Sequence, residues 1–522
     1  MNELVAESPV GRGYLSPSLR LRLYLAINLC AVVLIGVGAG IFAPANPRIL
    51  YVLMLTALCS IPILKLERIN GEHFLLAVYL AVFFDYFALN DLISVLVGRS
   101  TEAEDGVLTR TELVILVAVT STILAYHAAA KWFGVKKSVT VSMEWPFKTL
   151  LTVGLIFWVS GTIGLGYWQT FIITDRSNAS LLKNLNNLGP GLTTIFMVGQ
   201  LIQPLGVLIL AYAYAKYQRA FLFLLIMLVV LVQIVLGFVA DFKGEAMQAG
   251  ILVIIVKTYV DGKPPKAWLL GGVLFIVFVF PVFQAYRLQV RGEQGVTSLQ
   301  TLENLVGTVQ SALEAHAKAS AGFGGSAYKT QSFLERGSLK QSVEVIVAGT
   351  GAVQPFQGGA TLTPIAAAFI PKIIWPNKPS IAVGQVFNKE FHLGEADTYI
   401  SPSHIGELYW NFGWPGVVLG SSLIGLLLGV VGIRCGAFPH TSLTRLLVVV
   451  VTIYAFAIGS EGSIAVAYVP WIRSMAAIGI LHWMFARRAA ITRSEDTPPA
   501  GAQAGLMSHP RIAQARFPQL LR

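Results

Sequence analysis

Apolar runs about as long as a bilayer is thick recur along this chain, separated by short polar stretches. A run of about 18 or more such residues is what a helix needs to cross a hydrocarbon core. The pattern predicts spans at 21–42, 48–64, 73–97, 112–133, 148–172, 191–215, 220–240, 245–260, 267–286, 414–433, 444–460 and 464–486. The expected fold is therefore an all-α integral membrane protein of about 12 transmembrane helices. One interval breaks the rhythm. Residues 287–413 form a loop too long to be a simple connection. Within it, Leu299 to Leu313 has the apolar spacing of a helix, and Val343 to Val353 is apolar enough to dip into the membrane interface. Gly322, Gly324, Gly325 and the Gly358-Gly359 pair mark breaks. Pro364, Pro371, Pro376 and Pro379 then interrupt the approach to the next span, because each removes a backbone donor and fixes its own φ. Short interfacial or re-entrant helices are expected there. The chain thus divides into an N-terminal segment 1–20, a nine-span bundle 21–286, the large loop 287–413, a three-span bundle 414–486 and a tail 487–522. The tail carries Pro498, Pro499, Gly501 and Gly505 without a periodic core and reads as disordered.

Charge gives the spans a direction. Only 12% of the 522 residues are charged, where a soluble chain carries about 25%. In a membrane protein, the net charge of +11 reads first as a bias of Lys and Arg toward cytoplasmic loops and not as a nucleic-acid signal. With Arg12, Arg20 and Arg22 in the cytoplasm, alternate loops on that side hold Lys65 and Arg68; Lys131, Lys136, Lys137 and Lys148; Lys216 and Arg219; Lys257, Lys263 and Lys266; Arg434 and Arg445. Arg487, Arg488 and Arg493 follow the last span. The opposite short loops hold only Arg48, Arg99, Arg110, Arg176, Lys183 and Lys243, with acids among them. Both termini are then cytoplasmic and the large loop is extracytoplasmic. Arg20 and Arg22 lead into a span of full length, so the first helix is expected to stay as an anchor. Cys30, Cys59 and Cys435 fall in or beside apolar runs and give neither a disulfide framework nor a metal spacing.

Polar residues kept near lipid are expensive and therefore informative. Arg287 and Arg291 share a helical face where the ninth span ends. They suit either a forked grip on a phosphate or interfacial anchoring. Arg336, beside Glu335, reads on its own as half of a solvated ion pair. Asp241, Lys243 and Glu245 form a charged hinge. Asp85 and Asp91 lie inside the third span, where a proton relay and a polar helix end are both open readings. His404, Glu407 and Asn411 have spacings that place them on one face of a helix. An imidazole and a carboxylate so placed suit proton abstraction from a hydroxyl. Tyr409, Trp410, Phe412 and Trp414 suit an interfacial belt or stacking on sugar rings. Lys372, Lys378 and Lys389 add positive charge. No zinc spacing, phosphate loop, dinucleotide fingerprint or serine elbow occurs, so no metal and no cofactor is expected.

FIPKIIWPNKP followed by IGELYWNFGWPGVVLG resembles the signature region of bacterial oligosaccharide repeat-unit polymerases, the O-antigen polymerase family. The likeness runs from near Arg336 into the tenth span, about a fifth of the chain. Lys372 departs from it, standing where the family pattern carries arginine, and a lysine is a point charge without the guanidinium fork. The resemblance implies a GT-C-like glycosyltransferase that needs no nucleotide sugar. It implies undecaprenyl-diphosphate-linked oligosaccharides as donor and acceptor, the bilayer as their medium, and a chain-length regulator as a further possible partner. For such a reaction the chemistry of the residues suggests Arg287, Arg291 and Arg336, with Lys372 and Lys378, at the diphosphate, Glu407 as the base for the acceptor hydroxyl helped by His404, and Asn411, Tyr409 and Trp375 at the sugars; the alternative for Glu407 is an ion pair with one of the arginines that only orders the loop. A flippase for the same material is the alternative from another class, although transporters tend to show repeated halves and the long loop here is off-centre. A ligase that moves finished polymer is a third. A topology reporter fused at Gly324 is expected to report the extracytoplasmic side and one at Lys263 the cytoplasm; a cytoplasmic signal from Gly324 would overturn the arrangement.

Overall fold

A computed structural model describes residues 47–64, 73–92, 109–133, 145–167, 190–240, 243–279, 307, 339–367, 370, 374–375, 383–393, 399–436 and 442–495. The described residues are helical, with no sheet; Thr350 and Gln354 form an isolated bridge. The helices are α1 (Pro47–Leu64), α2 (Phe74–Phe84, continued by a π-turn at Asp85–Leu89), α3 (Arg110–Phe133), α4 (Phe147–Tyr167), α5 (Pro190–Tyr217), α6 (Ala220–Ala240), α7 (Lys243–Asp261) and α8 (Lys266–Leu274). The large loop contributes α9 (Lys340–Gly349), α10 (Thr363–Ala367) and α11 (Val383–Phe391). Then come α12 (His404–Gly436), α13 (Leu443–Thr452) and α14 (Ile464–Glu495). Among the described residues, 8 helices are long and apolar enough to cross a membrane. The predicted span at 21–42, the stretch Leu299 to Leu313 apart from Gly307, and the tail from 496 lie outside the described residues.

The elements start where their chemistry says they should. Thr109 opens α3 with a capping box: its amide donates to Glu112 Oε2 at 2.9 Å and its hydroxyl accepts from the Glu112 amide at 3.2 Å. Two orphan donors at a helix start are thereby satisfied. Pro47 and Pro190 stand at the first positions of α1 and α5, where a missing N–H costs nothing.

Packing in lipid cannot rely on the hydrophobic effect between helices, so close backbone approach through small residues takes its place. Ser421, Gly425 and Gly429 form such a stripe on α12 against α3. A Cβ at Gly425 would come within 2.2 Å of the Thr122 carbonyl oxygen, and one at Gly429 within 2.6 Å of Ala129 Cβ. Thr122 also donates its hydroxyl to the Ser421 carbonyl at 3.2 Å. Arg110 meets Tyr409, Thr122 meets Ser421 and Ala129 meets Gly429, so α3 and α12 run parallel. The side chains of Gln203 and Gln233, buried between α5 and α6, pair with each other.

Helix ends sort into two groups. At one end, here called the loop end, Tyr86 reaches Ile458, Lys340 reaches Asp91 and Glu112, and Glu407 reaches Ile464. At the other, Tyr259 donates to the Cys435 carbonyl and Lys257 lies over the Tyr214 ring.

The π-turn in α2 has a visible use. An i→i+5 turn leaves backbone carbonyls without their usual donors. Here Tyr86 O accepts from the Leu339 amide at 3.0 Å and Phe87 O accepts from the Tyr51 hydroxyl at 2.8 Å. A second π-turn, Ile453–Ala457, continues α13 against α2.

Three expectations change. The span predicted from 414 does start anew after a break at Gly413 (φ 61°, ψ −143°) that a glycine accommodates, with Pro415 in its first turn, but it is preceded by a further helical segment from His404 that the sequence pattern counts with the loop. The last helix runs on to Glu495, past the predicted end at 486. The apolar side chains Val343, Ile346 and Val347 face protein and not lipid, because α9 is amphipathic and packs against α3 and α12. Gly425→Ala is expected to cost about 1–3 kcal/mol as an overpacking change. Gly250→Ala, with nothing within 4 Å of the added Cβ, is expected to be neutral. Thermal unfolding of the purified variants measures both.

Candidate functional site

The break at Gly413 and Pro415 sets the geometry of the loop end. Proline has no N–H, so the Asn411 carbonyl four residues earlier loses its helical donor. The Gly358 amide takes its place at 3.1 Å, and the Gln357 amide donates to the Trp410 carbonyl at 3.0 Å. A strap, Gly351 to Thr361, is thus tied along the first turns of α12. Side chains complete the tie. Asn411 Oδ1 accepts from the Gly359 amide at 2.9 Å, and Asn411 Nδ2 donates to Thr361 Oγ1 at 2.7 Å and to the Glu407 carbonyl at 2.8 Å. The strap's other flank is held by α11. Gln354 Nε2 donates to the Glu390 carbonyl and Gln357 Nε2 to Glu390 Oε2, each at 2.8 Å. Partial burial raises the Glu390 carboxyl above its ordinary range.

Glu407 lies fully buried at the centre of this network. Its Oε1 accepts from Thr361 Oγ1 at 2.7 Å, and its Oε2 accepts from the Ile464 amide, the first of α14, at 2.6 Å. One carboxylate therefore joins α12, the strap and α14, and satisfies an orphan donor at a helix start. His404 stands one turn earlier. It is buried, its ring lies 6.4 Å from that of Tyr468, and neither ring nitrogen has a hydrogen-bond partner among the described residues. A buried imidazole with two unfilled positions is unusual, since buried polar groups are nearly always paired. Glu407 and Asn411 thus share a network, while His404 has no hydrogen bond to either.

The remaining candidates divide. Tyr409 is fully buried, with Phe356 at 6.4 Å, Trp414 at 6.2 Å and the Arg110 guanidinium 5.7 Å above its ring. Its ring faces are taken up by protein. Trp375 is exposed. Arg287, Arg291, Arg336, Lys372 and Lys378 lie outside the described residues, as does the side chain of Lys243. Asp85 is exposed on the π-turn, and Glu245 is half-buried at the start of α7.

A second polar cluster was not singled out by sequence. Lys340 Nζ, the first residue of α9, lies 2.7 Å from Asp91 Oδ2 and 2.7 Å from Glu112 Oε1, and 4.6 Å from the centre of the Tyr51 ring. All three charged groups are buried. One ammonium faces two carboxylates, and the attraction in this dry setting docks α9 onto α2 and α3. The capping-box pattern Thr109-x-x-Glu112 was a legible signal for one member. Asp91, read as a polar helix end or a relay, ends in an ion pair. Among the described residues, no group of three or more His, Cys, Asp or Glu side chains is placed to hold a metal ion.

No protein-family model, curated protein or solved structure matches the chain. The fold itself defines the class: this is a multi-pass integral membrane protein. Lys340→Met is expected to cost about 3–5 kcal/mol by leaving buried carboxylates unpaired, with replacement of all three groups by neutral residues costing less. A mutant-cycle analysis of unfolding measures this; a triple-variant cost equal to the sum of the three single-variant costs would show that the cluster does not act as a unit.

Proposed function

We propose that this protein is a membrane glycosyltransferase that joins lipid-diphosphate-linked oligosaccharide repeat units at the loop end of its bundle. The observation that carries the reading is the network around Glu407. It is built on GELYWNFG, the element in which the chain resembles the repeat-unit polymerases, and it sits where the helices meet the large loop. The charge alternation supports an extracytoplasmic loop end, in keeping with lipid-linked substrates on the periplasmic side of a bacterial inner membrane.

The geometry favours a division of labour within the pair. Both Glu407 oxygens already hold donors, so the carboxylate's work is to fix the strap and the start of α14 around the site. His404 has unfilled ring positions and is the group with capacity to take a proton from an acceptor hydroxyl. A positioned base of this kind contributes about 10²–10⁴-fold. Because the imidazole is closed off in this state, acceptor access requires local opening between α12 and α14. The developing negative charge on a diphosphate leaving group needs fixed cations in a water-poor site; Arg287, Arg291 and Arg336 are the candidates from sequence, with Lys372 and Lys378 beside them. Asn411 holds the strap, and Trp375 is the exposed aromatic available to a sugar ring.

Purified protein in proteoliposomes, given one defined lipid-linked repeat unit, tests the reading. A ladder of longer lipid-linked products is expected. Movement of unextended repeats across the bilayer would favour a flippase, and transfer of preformed polymer to another acceptor a ligase. His404→Gln is expected to fold and to lose about 10²-fold or more of the turnover. Glu407→Gln is expected to lower stability as well as turnover. Wild-type rates from folded His404→Gln would remove the imidazole from the mechanism.

A further inference from the structure

The strap is two-faced. Gln354 and Gln357 turn toward α11 and bond to Glu390. Val353 and Phe356 have no such partner on α11 among the described contacts and are 79% and 48% exposed. Phe356 rests on the bare backbones of Gly351 and Gly413, and Phe412 rests on Gly359; a Cβ at these glycines would lie 3.4, 3.2 and 3.1 Å from the rings. Phe412 is itself exposed, and beyond the break α12 exposes Val418, Leu419 and Leu423. Those three lie on a helix that is long and apolar enough to cross a membrane, so an exposed stripe of this kind there is surface for lipid chains. Phe412 belongs to the same span, and Phe356, packed on Gly413 of that span, and Val353 add exposed apolar surface beside it at the loop end. An apolar patch that continues a lipid-facing surface takes the same partner.

We propose that the strap is seated in the membrane, with Val353 and Phe356 inserted into the interfacial layer of the leaflet at the loop end. The partner is the lipid surface itself. The strap also carries the Gly359 amide and the Thr361 hydroxyl, which hold Asn411 and Glu407. Seating therefore fixes the height of the Glu407 network at the level of lipid headgroups. This follows from the packing and stands whether or not the site transfers sugars.

Spin labels test it on the full chain in lipid nanodiscs, with Cys30, Cys59 and Cys435 replaced. Single cysteines are introduced as Val353→Cys and Phe356→Cys. Leu419→Cys serves as the lipid reference, and Gln341→Cys, exposed on α9, as the polar reference. Collision with oxygen, which concentrates in lipid, is compared with collision with a water-soluble nickel chelate. Labels at 353 and 356 are expected to match the 419 label, with an oxygen-to-nickel ratio several-fold above that at 341. A ratio like that at 341 would place the strap in water and overturn the proposal. Protection from both reagents would overturn it too, and accompanying spin–spin broadening would identify a second copy of the chain as the cover. Val353 is the more exposed position and carries the test alone if Phe356→Cys does not fold.

Discussion

A proline cannot donate a hydrogen bond, and the loop end of this molecule is arranged around that fact. Pro415 leaves the Asn411 carbonyl without its helical donor, and Gly413 turns the chain out of helical geometry just before it. In a water-poor setting, an orphaned carbonyl must find a partner. The partner is the strap, and once the strap lies there Thr361 is within reach of Glu407 and Gly359 of Asn411. Glu407 then extends the tie to α14. A break in one helix thus recruits a loop, and the loop recruits a second helix.

The large loop is fastened a second time by charge. Lys340 sits between Asp91 and Glu112. From there α9 lays Ile346 and Val343 against Gly406, which stands between His404 and Glu407. The two fastenings differ in kind. Hydrogen bonds to neutral groups hold modestly and have direction, whereas a buried ion cluster is weak evidence of net stability but strongly penalises loss of one member. Together they hold the first turns of α12 from both sides.

How much of this could be read from sequence depends on how local the cause is. A span announces itself over about 20 residues, and the described helices fall close to the predicted runs. The shared face of Glu407 and Asn411 was legible for the same reason, because helical spacing is local. Lys340 was not, since its partners stand 228 and 249 positions away and nothing nearby marks it as buried. The occupation of both Glu407 oxygens was equally hidden, because its donors come from elements 46 and 57 positions distant. The segment from His404 falls outside the predicted tenth span because Gly413 and Pro415 read as a boundary, and they do separate it from the helix that follows.

The π-turn in α2 shows how two surroundings share one helix. An extra residue in a turn rotates everything beyond it by about 100° relative to an unbroken helix. Below Asp85, the face of α2 is phased to its neighbours in the bundle. Above it, the phase answers to the loop: Asp91 turns to Lys340, and the carbonyl of Tyr86 turns to Leu339. The insertion is a gear between two registers, so the membrane part and the loop-end part of this helix can vary in sequence without having to agree on a common face.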